Sequence, residues 1–394
     1  MVALSKRAPL APEILTSPSQ LEALAGDWAH LLARSGADEP MRSPLWTCAW
    51  WRCYGGADGR RLRAAAFRQG GRLVGLAPLA YRRLWRPPGL AIRRLDLIPS
   101  GERERDEVSS DYLGLVTEPG YEQRVAEGLA QLLDEGVLGS WDELVMPAMS
   151  LDGASVPLLV GALEKVGAVR FDVTGGAPYI PLPRTWDEYL AALPSSRRRM
   201  VKTSLRAFDA WTSGDASLQV VRTEAELERG ARILRDLHAA RWRADGQAGA
   251  FASTRFSAFH AEVMPALLSR GALELMWLCA HGEPVAAVYN IVWNDKVYFY
   301  QSGRRPDLPR QVRAGLVLHA LAIRRAIELK RREYDFLNGG SRYKLDLALA
   351  SRPLGTLRVR RRGRTERVVR LYERSRSIAR AVRASRGGRQ RPPR

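Results

Sequence analysis

The chain has 394 residues, enough for two cores of roughly 150–200 residues each. Apolar residues make up 46% and charged residues 26%, as in soluble globular proteins. No apolar run approaches the ~20 residues of a membrane-spanning helix, and we expect no signal peptide. Three cysteines give neither a disulfide framework nor a CxxC metal pair, so we expect a cytoplasmic protein without a metal site.

The positive charge is concentrated at the C-terminal end. The last 38 residues hold fifteen arginines against two acids, which leaves +7 of the net +20 for the rest of the chain. From Val368 onward, apolar residues recur at helical spacing among arginines. This pattern predicts a basic amphipathic helix that contacts anionic membrane surfaces. Non-specific RNA binding and a disordered solubilising tail are the alternatives.

Two segments repeat one strand–turn–strand pattern at an offset of 211 residues. Leu62–Leu76 turns at Gly70-Gly71, and Leu273–Ala287 turns at His281-Gly282. Both have the β-branched and apolar content of buried strands around a glycine-containing hairpin turn. The repeat predicts a duplicated unit.

Each half continues in the same order after its hairpin, with a helix, a strand, a helix and a last strand. The predicted helices are 120–135 and 312–330, the inner strands 141–146 and 333–337, and the last strands 168–173 and 355–361. Amphipathic helices precede both hairpins. The order predicts an α/β fold with mixed sheets in two tandem halves, 14–180 and 217–363, followed by an arginine-rich tail, 364–394.

A basic segment, 181–216, lies between the halves. Ser195 or Ser196 is predicted to cap a helix whose residues Met200, Leu205 and Phe208 face a core. The helix is interpreted as a solvated linker, with a phosphate-binding surface as the alternative.

A basic loop, 304–313, joins a predicted strand to a helix that begins near Ala314-Gly315. The N–H groups and positive dipole end of such a helix suit a pyrophosphate. The spacing of Arg310, Arg313 and Gly315 resembles the acetyl-coenzyme A loop of GNAT (GCN5-related N-acetyltransferase) enzymes. Arg313 replaces the first glycine of that loop. An ordinary connecting loop is the alternative.

The segment Tyr334–Lys344 joins a buried strand to a helix through Gly339-Gly340. This geometry places Asn338, Tyr343 and Lys344 at the carboxyl end of the strand, where open α/β sheets form their sites. We predict that Asn338 contacts the cofactor. A surface lysine at a helix start is the alternative for Lys344.

The chain resembles the CelD-type GNAT acetyltransferases of bacterial polysaccharide loci, which are relatives of the Fem aminoacyltransferases. The resemblance covers roughly residues 14–362. Its landmarks are Ser43–Trp46 with Trp50-Trp51, Ser110–Tyr112, Leu237–Trp242 and Tyr334–Lys344. It implies two GNAT-like halves and acyl transfer from acetyl-coenzyme A or another acyl-coenzyme A to an amine or hydroxyl of a sugar. In the Fem relatives the donor is an aminoacyl-tRNA instead.

The resemblance also implies roles for individual residues. Tyr343 corresponds to the acid of GNAT enzymes, and Lys344 to a lysine near the transferred carbonyl in Fem-like enzymes. Asp335 is a candidate base, with a structural role as the alternative. His238 is a second candidate base, although a histidine on an apolar helix face is more commonly a core residue.

Further residues are predicted to bind the acceptor. Arg241 and Trp242 line the cleft in this interpretation, with an amphipathic pair at a helix end as the alternative. Tyr300 lies on the neighbouring strand, and Asp111 and Tyr112 reach the cleft from the first half. The first-half segment Gly101–Glu107 is interpreted as the counterpart of the basic loop 304–313, which we call the donor loop. Its four acids would repel a pyrophosphate, so we expect the first half to be non-catalytic.

Partner and location follow from these interpretations. We expect a small-molecule or lipid-linked sugar acceptor in exopolysaccharide or cell-envelope biosynthesis, and cytoplasmic location with peripheral contact to the inner membrane. Base-stacking motifs of RNA-binding modules are absent, so nucleic acid is not an expected partner. A Fem-like tRNA-dependent transferase and a non-catalytic scaffold remain as alternatives.

Overall fold

A computed structural model describes residues 10–86, 89–153 and 155–363. The predicted tail, 364–394, therefore lies outside the described residues. The helices are α1 Pro18–Ala23, α2 Ala25–Arg34, α3 Pro44–Tyr54, α4 Glu122–Asp134, α5 Ser155–Leu163, α6 Trp186–Ala192, α7 Ser195–Thr212, α8 Glu224–Ala244, α9 Thr254–Ser269, α10 Ala314–Glu328 and α11 Arg342–Leu347. None of these helices is long and apolar enough to cross a bilayer.

The strands form two sheets. They are β1 Ala11–Leu15, β2 Arg61–Leu62, β3 Ala64–Gln69, β4 Arg72–Ala77, β5 Leu79–Arg86, β6 Leu90–Leu97, β7 Val116–Thr117, β8 Glu143–Ser150, β9 Gly167–Pro181, β10 Ala216–Val220, β11 Leu273–Ala280, β12 Glu283–Trp293, β13 Lys296–Arg304, β14 Glu333–Asp335 and β15 Ala350–Arg361. The smaller sheet has the order β1-β3-β4-β7, and the larger has the order β10-β11-β12-β13-β14-β9-β15-β8-β6-β5-β2. The predicted mixed α/β fold is confirmed.

Both repeated hairpins are present. β3 pairs with β4 and β11 with β12, each antiparallel. The two turn residues have positive φ in both hairpins, 56° and 79° at Gly70-Gly71 and 52° and 77° at His281-Gly282. Such left-handed pairs form the turns whose twist matches that of the flanking strands. The repeated sequence pattern therefore encodes a repeated local structure.

The two halves exchange their last strands within one sheet. β9 of the first half pairs with β14 of the second half at Tyr179–Pro181. β15 of the second half lies between β9 and β8, antiparallel to both. Because these pairings are continuous, the larger sheet runs through both halves and fixes their relative position. The predicted boundaries, 14–180, 181–216 and 217–363, remain a prediction.

The predicted linking helix is α7, but its predicted cap is wrong. Pro194 occupies the cap position, no side chain caps the helix, and Ser195 is already its first residue. Phe208 is buried, while Met200 and Leu205 are partly buried against the core cluster of the second half. The apolar spacing therefore predicted the buried face correctly, because it depends on helical periodicity and not on the position of the cap.

Candidate functional site

An opening in the larger sheet organises the site. β13 and β14 run parallel and pair only from Lys296–Tyr298 to Glu333–Asp335. Beyond Tyr298, β13 continues to pair with β12 as far as Arg304. The β14 side of residues 299–304 is therefore free of a neighbouring strand, and two cavities lie beside this stretch of β13.

The first cavity, which we call the donor cavity, has a volume of about 570 Å³. Its lining includes the end of β13, the loop 304–313 and the first turn of α10. Gly303 allows helix α8 to lie directly on β13 here. A Cβ at this position would lie 2.3 Å from the backbone nitrogen of His238, so any other residue would push the helix away.

Arginines surround the helix start at this cavity. Arg310, Arg313, Ala314 and Gly315, all predicted to contact the cofactor, line it. Arg305 is paired with Asp307 at 2.5 Å, whereas Arg304, Arg310 and Arg313 have no acidic partner among the described residues. Arg313 precedes α10 without a side-chain cap. Unpaired arginines at an uncapped helix start provide the positive charge and N–H donors that bind phosphate groups.

The second cavity, which we call the acceptor cleft, has a volume of about 740 Å³. Its first-half wall comes mainly from the segment 99–111, and its second-half wall from β13, α8 and the segment 337–344. The predicted acceptor-binding residues Asp111, Arg241, Trp242 and Tyr300 all line this cleft. The tandem arrangement therefore produces a cleft to which both halves contribute.

The two cavities meet at three residues. Arg241, Ser302 and Tyr343 line both of them. The ring of Tyr343 stacks on His319 with 5.2 Å between ring centroids, and burial raises the pKa of its hydroxyl to about 12. That hydroxyl has no hydrogen bond to another residue in the described part of the chain. The Tyr343 hydroxyl is therefore protonated and free to form a hydrogen bond at the point where the two cavities meet.

Lys344 lies in the wall of the acceptor cleft next to this junction. Its Nζ donates a hydrogen bond to the carbonyl oxygen of Asn338 at 2.8 Å and lies 5.7 Å from the centroid of the Phe299 ring. Burial lowers the pKa of Lys344 to about 8, and the carboxylates of Asp111 and Asp335 oppose this shift. The ammonium is thus charged at neutral pH and can stabilise developing negative charge.

Asp111 brings a carboxylate of the first half to the same place. Its side chain is only 4% exposed, and its Oδ2 accepts a hydrogen bond of 2.7 Å from the backbone N–H of Asn338. Burial raises the pKa of Asp111 to about 6, and Glu107 adds to the rise. A carboxylate with this pKa can accept a proton near neutral pH. Asn338 itself lies in the acceptor cleft and not among the residues of the donor cavity.

Asp335 belongs to a buried ionic network below the site. It is fully buried and accepts hydrogen bonds from the Tyr112 hydroxyl at 2.5 Å, from the N–H of Leu337 at 2.7 Å and from Arg352 at 3.1 Å. Burial raises its pKa to about 7. Neither Asp335 nor Tyr112 lines the donor cavity or the acceptor cleft. This position favours the structural alternative for Asp335 and a supporting role for Tyr112.

Both ring nitrogens of His238 form hydrogen bonds to backbone groups. The N–H of Ala250 donates to Nε2 at 3.1 Å, so the other nitrogen, Nδ1, carries the proton and donates to the carbonyl of Ser302 at 3.0 Å. The ring is 1% exposed, and burial lowers its pKa. These contacts favour the core-residue interpretation. The ring holds the end of β13 against α8.

The aromatic side chains of the cleft have distinct environments. The Tyr300 hydroxyl donates a hydrogen bond to the carbonyl of Val108, and β13 bulges at Tyr300, which has no partner on β12. Trp242 lies beneath the guanidinium of Arg241, 5.1 Å from its ring centroid. The Tyr300 ring packs against Trp46, His260 and Tyr289, so Tyr300 is mainly a core residue at the wall of the cleft. The guanidinium of Arg241 lies at the junction of the cavities.

The sequence analysis missed two features of the site. Gly101–Glu107 is not the counterpart of the donor loop, because the two-residue strand β7 and a further loop separate it from α4; it forms a wall of the acceptor cleft instead. His319, on α10, lines the donor cavity, and burial lowers its pKa to about 3. Its place on the apolar face of a helix gave no functional signal. Only its ring contact with Tyr343 in the tertiary structure connects His319 with the site.

Comparisons with known proteins agree with this architecture. Residues 195–345 match the family described as acetyltransferase (GNAT) domain. No curated protein matches the chain in sequence. Among solved structures, FemX shares the fold at 11% identity with a TM-score of 0.59, over 92% of this chain and 99% of that one.

Two further solved structures have the same fold. The C-terminal domain of a putative lysylphosphatidylglycerol synthetase from Agrobacterium fabrum has a TM-score of 0.51 at 12% identity, over 91% of this chain and 97% of that one. A conserved protein of unknown function from Bacteroides thetaiotaomicron has a TM-score of 0.52 at 10% identity, over 88% and 100%. At these identities the likeness concerns the fold alone. The match to the GNAT acetyltransferase domain family covers residues 195–345, which include the donor loop, Tyr343 and Lys344.

Proposed function

We propose that the protein transfers an acyl group from acyl-coenzyme A to an amine or hydroxyl acceptor. The observation that carries this proposal is the junction of the two cavities at Arg241, Ser302 and Tyr343. One cavity has the arginines and helix start suited to a pyrophosphate, and the other is a separate cleft from which an acceptor reaches the same point. Holding both reactants at one junction supplies much of the rate of a direct transfer.

The donor cavity fits the chemistry of coenzyme A. Arg310 and Arg313, with the N–H groups of the first turn of α10, would hold the pyrophosphate. The bound donor would supply an activated acyl thioester. The GNAT domain match supports acyl-coenzyme A as the donor class, and acetyl-coenzyme A is the donor we propose.

Three side chains are placed to serve the transfer. Tyr343 would donate a proton to the leaving thiolate, and Lys344 would stabilise the negative charge that develops on the acyl oxygen. Asp111 would accept a proton from the acceptor. Asp335 would act indirectly, since it fixes Tyr112 and the turn at Leu337 and thereby positions the two neighbouring segments that carry Asp111 and Asn338.

The resemblance to CelD-type enzymes supports N- or O-acetylation of a sugar or lipid-linked saccharide in bacterial exopolysaccharide or cell-envelope biosynthesis. Such an acceptor is consistent with a cytoplasmic protein that contacts the inner membrane peripherally through its basic tail. Removal of the residues after Arg364 should then retain turnover on a soluble acceptor while lowering sedimentation with anionic vesicles. Unchanged vesicle binding at physiological salt would contradict the membrane role of the tail.

Thiol release tests the central proposal. Purified protein with acetyl-coenzyme A and a panel of amine and hydroxyl acceptors should release free thiol in an acceptor-dependent manner, and calorimetry should detect donor binding. Tyr343→Phe should bind the donor normally and release thiol slowly. The absence of donor binding would contradict the proposal.

The alternative donor is an aminoacyl-tRNA, as in the Fem relatives. The fold shared with FemX and the three unpaired arginines of the donor cavity favour it, because such arginines also attract RNA phosphates. Transfer from a charged tRNA, with steep salt dependence and no response to acyl-coenzyme A, would establish this alternative. If neither acyl-coenzyme A nor a charged tRNA supports transfer, the remaining alternative is a non-catalytic scaffold.

A further inference from the structure

The acceptor cleft has one strongly acidic wall. Glu102, Glu104, Glu107 and Asp111 all line it from the first half. None of the four forms an ion pair with another residue in the described part of the chain, although the protein has 62 basic residues against 42 acidic ones. Because these four clustered carboxylates have no ion-pair partners in that part of the chain, this wall of the cleft is negatively charged.

The charges of this wall are close enough to disfavour one another. Partial burial and the carboxylate of Glu104 raise the pKa of Glu107, and Glu107 in turn raises that of Asp111. Burial also raises the pKa of Glu102, which accepts a hydrogen bond from Trp50. A bound cation would relieve this repulsion.

A second indication of a ligand is the hydrogen bonding of Asp111, which is separate from the charge of the wall. Its side chain is 96% buried, yet it faces the cleft. Oδ2 is used by the N–H of Asn338, while Oδ1 has no hydrogen bond to any of the described residues. A carboxylate oxygen that opens onto a cavity without a protein partner, on a residue otherwise buried, is suited to a donor on a bound molecule.

The cations of the cleft do not neutralise this wall. Arg94 is tied to Asp96 at 2.5 Å, and Arg241 lies over Trp242. Lys344 donates to Asn338, and its charge favours the ionised form of Asp111. Glu104 and Glu107 remain without an ion-pair partner among the described residues, so they are the carboxylates available to a bound cation.

We propose that the acceptor is a primary amine that carries at least one further positive charge, as in diamines, polyamines or multiply aminated sugars. This inference rests on the proposed acyl transfer. The acceptor ammonium loses two protons when the C–N bond forms and the C–S bond breaks. One proton ends on the thiol sulfur by way of Tyr343, and the other leaves through Asp111 to solvent. Glu104 and Glu107 bind the second charge.

Three acceptors of similar length test this directly: 1,5-diaminopentane, 1-aminopentane and 5-amino-1-pentanol. Each offers a primary amine, and only the first has a second positive charge. We expect kcat/KM with acetyl-coenzyme A to be about tenfold or more higher for the diamine, as two partly exposed ion pairs would give. Glu104→Gln/Glu107→Gln should remove this preference by lowering kcat/KM for the diamine toward the values for the other two amines. Glu228→Gln, at an exposed site on α8, is the matched control and should retain it.

Calorimetry with 1,5-diaminopentane alone separates this inference from the donor assignment. If acyl-coenzyme A is not the donor, the diamine should still bind, and the double glutamine variant should lose that binding. If thiol is released but the three amines react at equal kcat/KM, the proposed acceptor class is wrong and the acyl transfer stands. Binding of the diamine that is unchanged by the double variant would also overturn the inference.

Discussion

The backbone N–H of Asn338 donates a hydrogen bond of 2.7 Å to Oδ2 of Asp111, although 227 residues separate the two in sequence. The carbonyl of the same Asn338 accepts a hydrogen bond from Lys344. Asn338, in the segment that follows β14, therefore holds both a carboxylate of the first half and an ammonium of the second half. The proposed base and the proposed oxyanion donor are held by a single backbone segment.

Replacement of Lys344 tests the role of this ammonium. Lys344→Met should lose about 10²–10³ in turnover, the usual cost of one oxyanion donor. Its melting temperature should stay near that of the wild type, because a partly exposed lysine contributes under ~0.5 kcal/mol to stability. Donor binding by calorimetry should also be unchanged. Lys202→Met, on the exposed side of α7, is the matched control, and turnover of Lys344→Met within threefold of wild type would refute the assignment.

The arginines of the donor cavity should determine donor affinity. Arg310→Ala/Arg313→Ala should weaken binding of acetyl-coenzyme A by about tenfold or more, because charge-assisted hydrogen bonds to phosphate are lost. Binding to the wild type should weaken with added salt more than binding to the variant. Arg232→Ala/Arg235→Ala, on the exposed face of α8, removes equal charge elsewhere. Equal donor affinity of the wild type and the Arg310/Arg313 variant would rule out this loop.

The pH profile of kcat/KM should be bell-shaped. Asp111 must be ionised to accept a proton, so activity should rise as the pH passes its pKa of about 6. Lys344 must be protonated, so activity should fall as the pH passes its pKa of about 8. Asp111→Asn should lower the activity and remove the rising limb, and Lys344→Met should remove the falling limb. A profile with both limbs in either variant would contradict these roles.

Asp111→Asn should be more stable than the wild type at pH 8. The folded-state pKa of Asp111 is about 6 against 3.8 as the ordinary value, so the folded protein binds more protons between these values. Its contribution to the free energy of unfolding therefore falls as pH rises through this window, by up to about 2–3 kcal/mol. Asparagine avoids this penalty and still accepts the Asn338 hydrogen bond. Urea unfolding at pH 4 and pH 8 measures the effect, with the exposed Asp236→Asn as control.

Arg352 should be essential to the buried network below the site. It forms ion pairs with Glu333 and with Asp335, the latter at 3.1 Å, and lies 3.6 Å from the ring centroid of Tyr179. Arg352→Met leaves Asp335 without an ion pair and Glu333 with only the contact of 3.8 Å to Lys296, which should cost about 3–5 kcal/mol in the free energy of unfolding at pH 8. The loss should shrink at pH 5, where Asp335, with its pKa of about 7, takes up a proton. An equal loss at both values would refute this explanation.

Part of the site could be predicted from sequence because it depends on local patterns. The loop 304–313, the start of α10 and the segment Tyr334–Lys344 are each short in sequence, so their residues stay together in any fold that forms the elements. Arg310 and Arg313 lie in the loop before α10, and Tyr343 and Lys344 follow the glycine turn after β14, as these local patterns indicate. The roles assigned to them stay predictions. The environments of Asp335 and His238 could not be predicted in this way, because they depend on burial and on hydrogen bonds from the distant residues Tyr112 and Ala250.

The sequence by itself determined the repeated hairpins, the order of helices and strands in the second half, and the basic loop before α10, because periodicity and turn residues act over a few positions. Only the tertiary structure decided the exchange of β9 and β15 between the halves, since strand pairing depends on partners far away in the chain. It also decided that the acids near Glu104 line the cleft between the halves and not the cavity at the start of α10. That outcome follows from packing one half against the other, which no local pattern encodes.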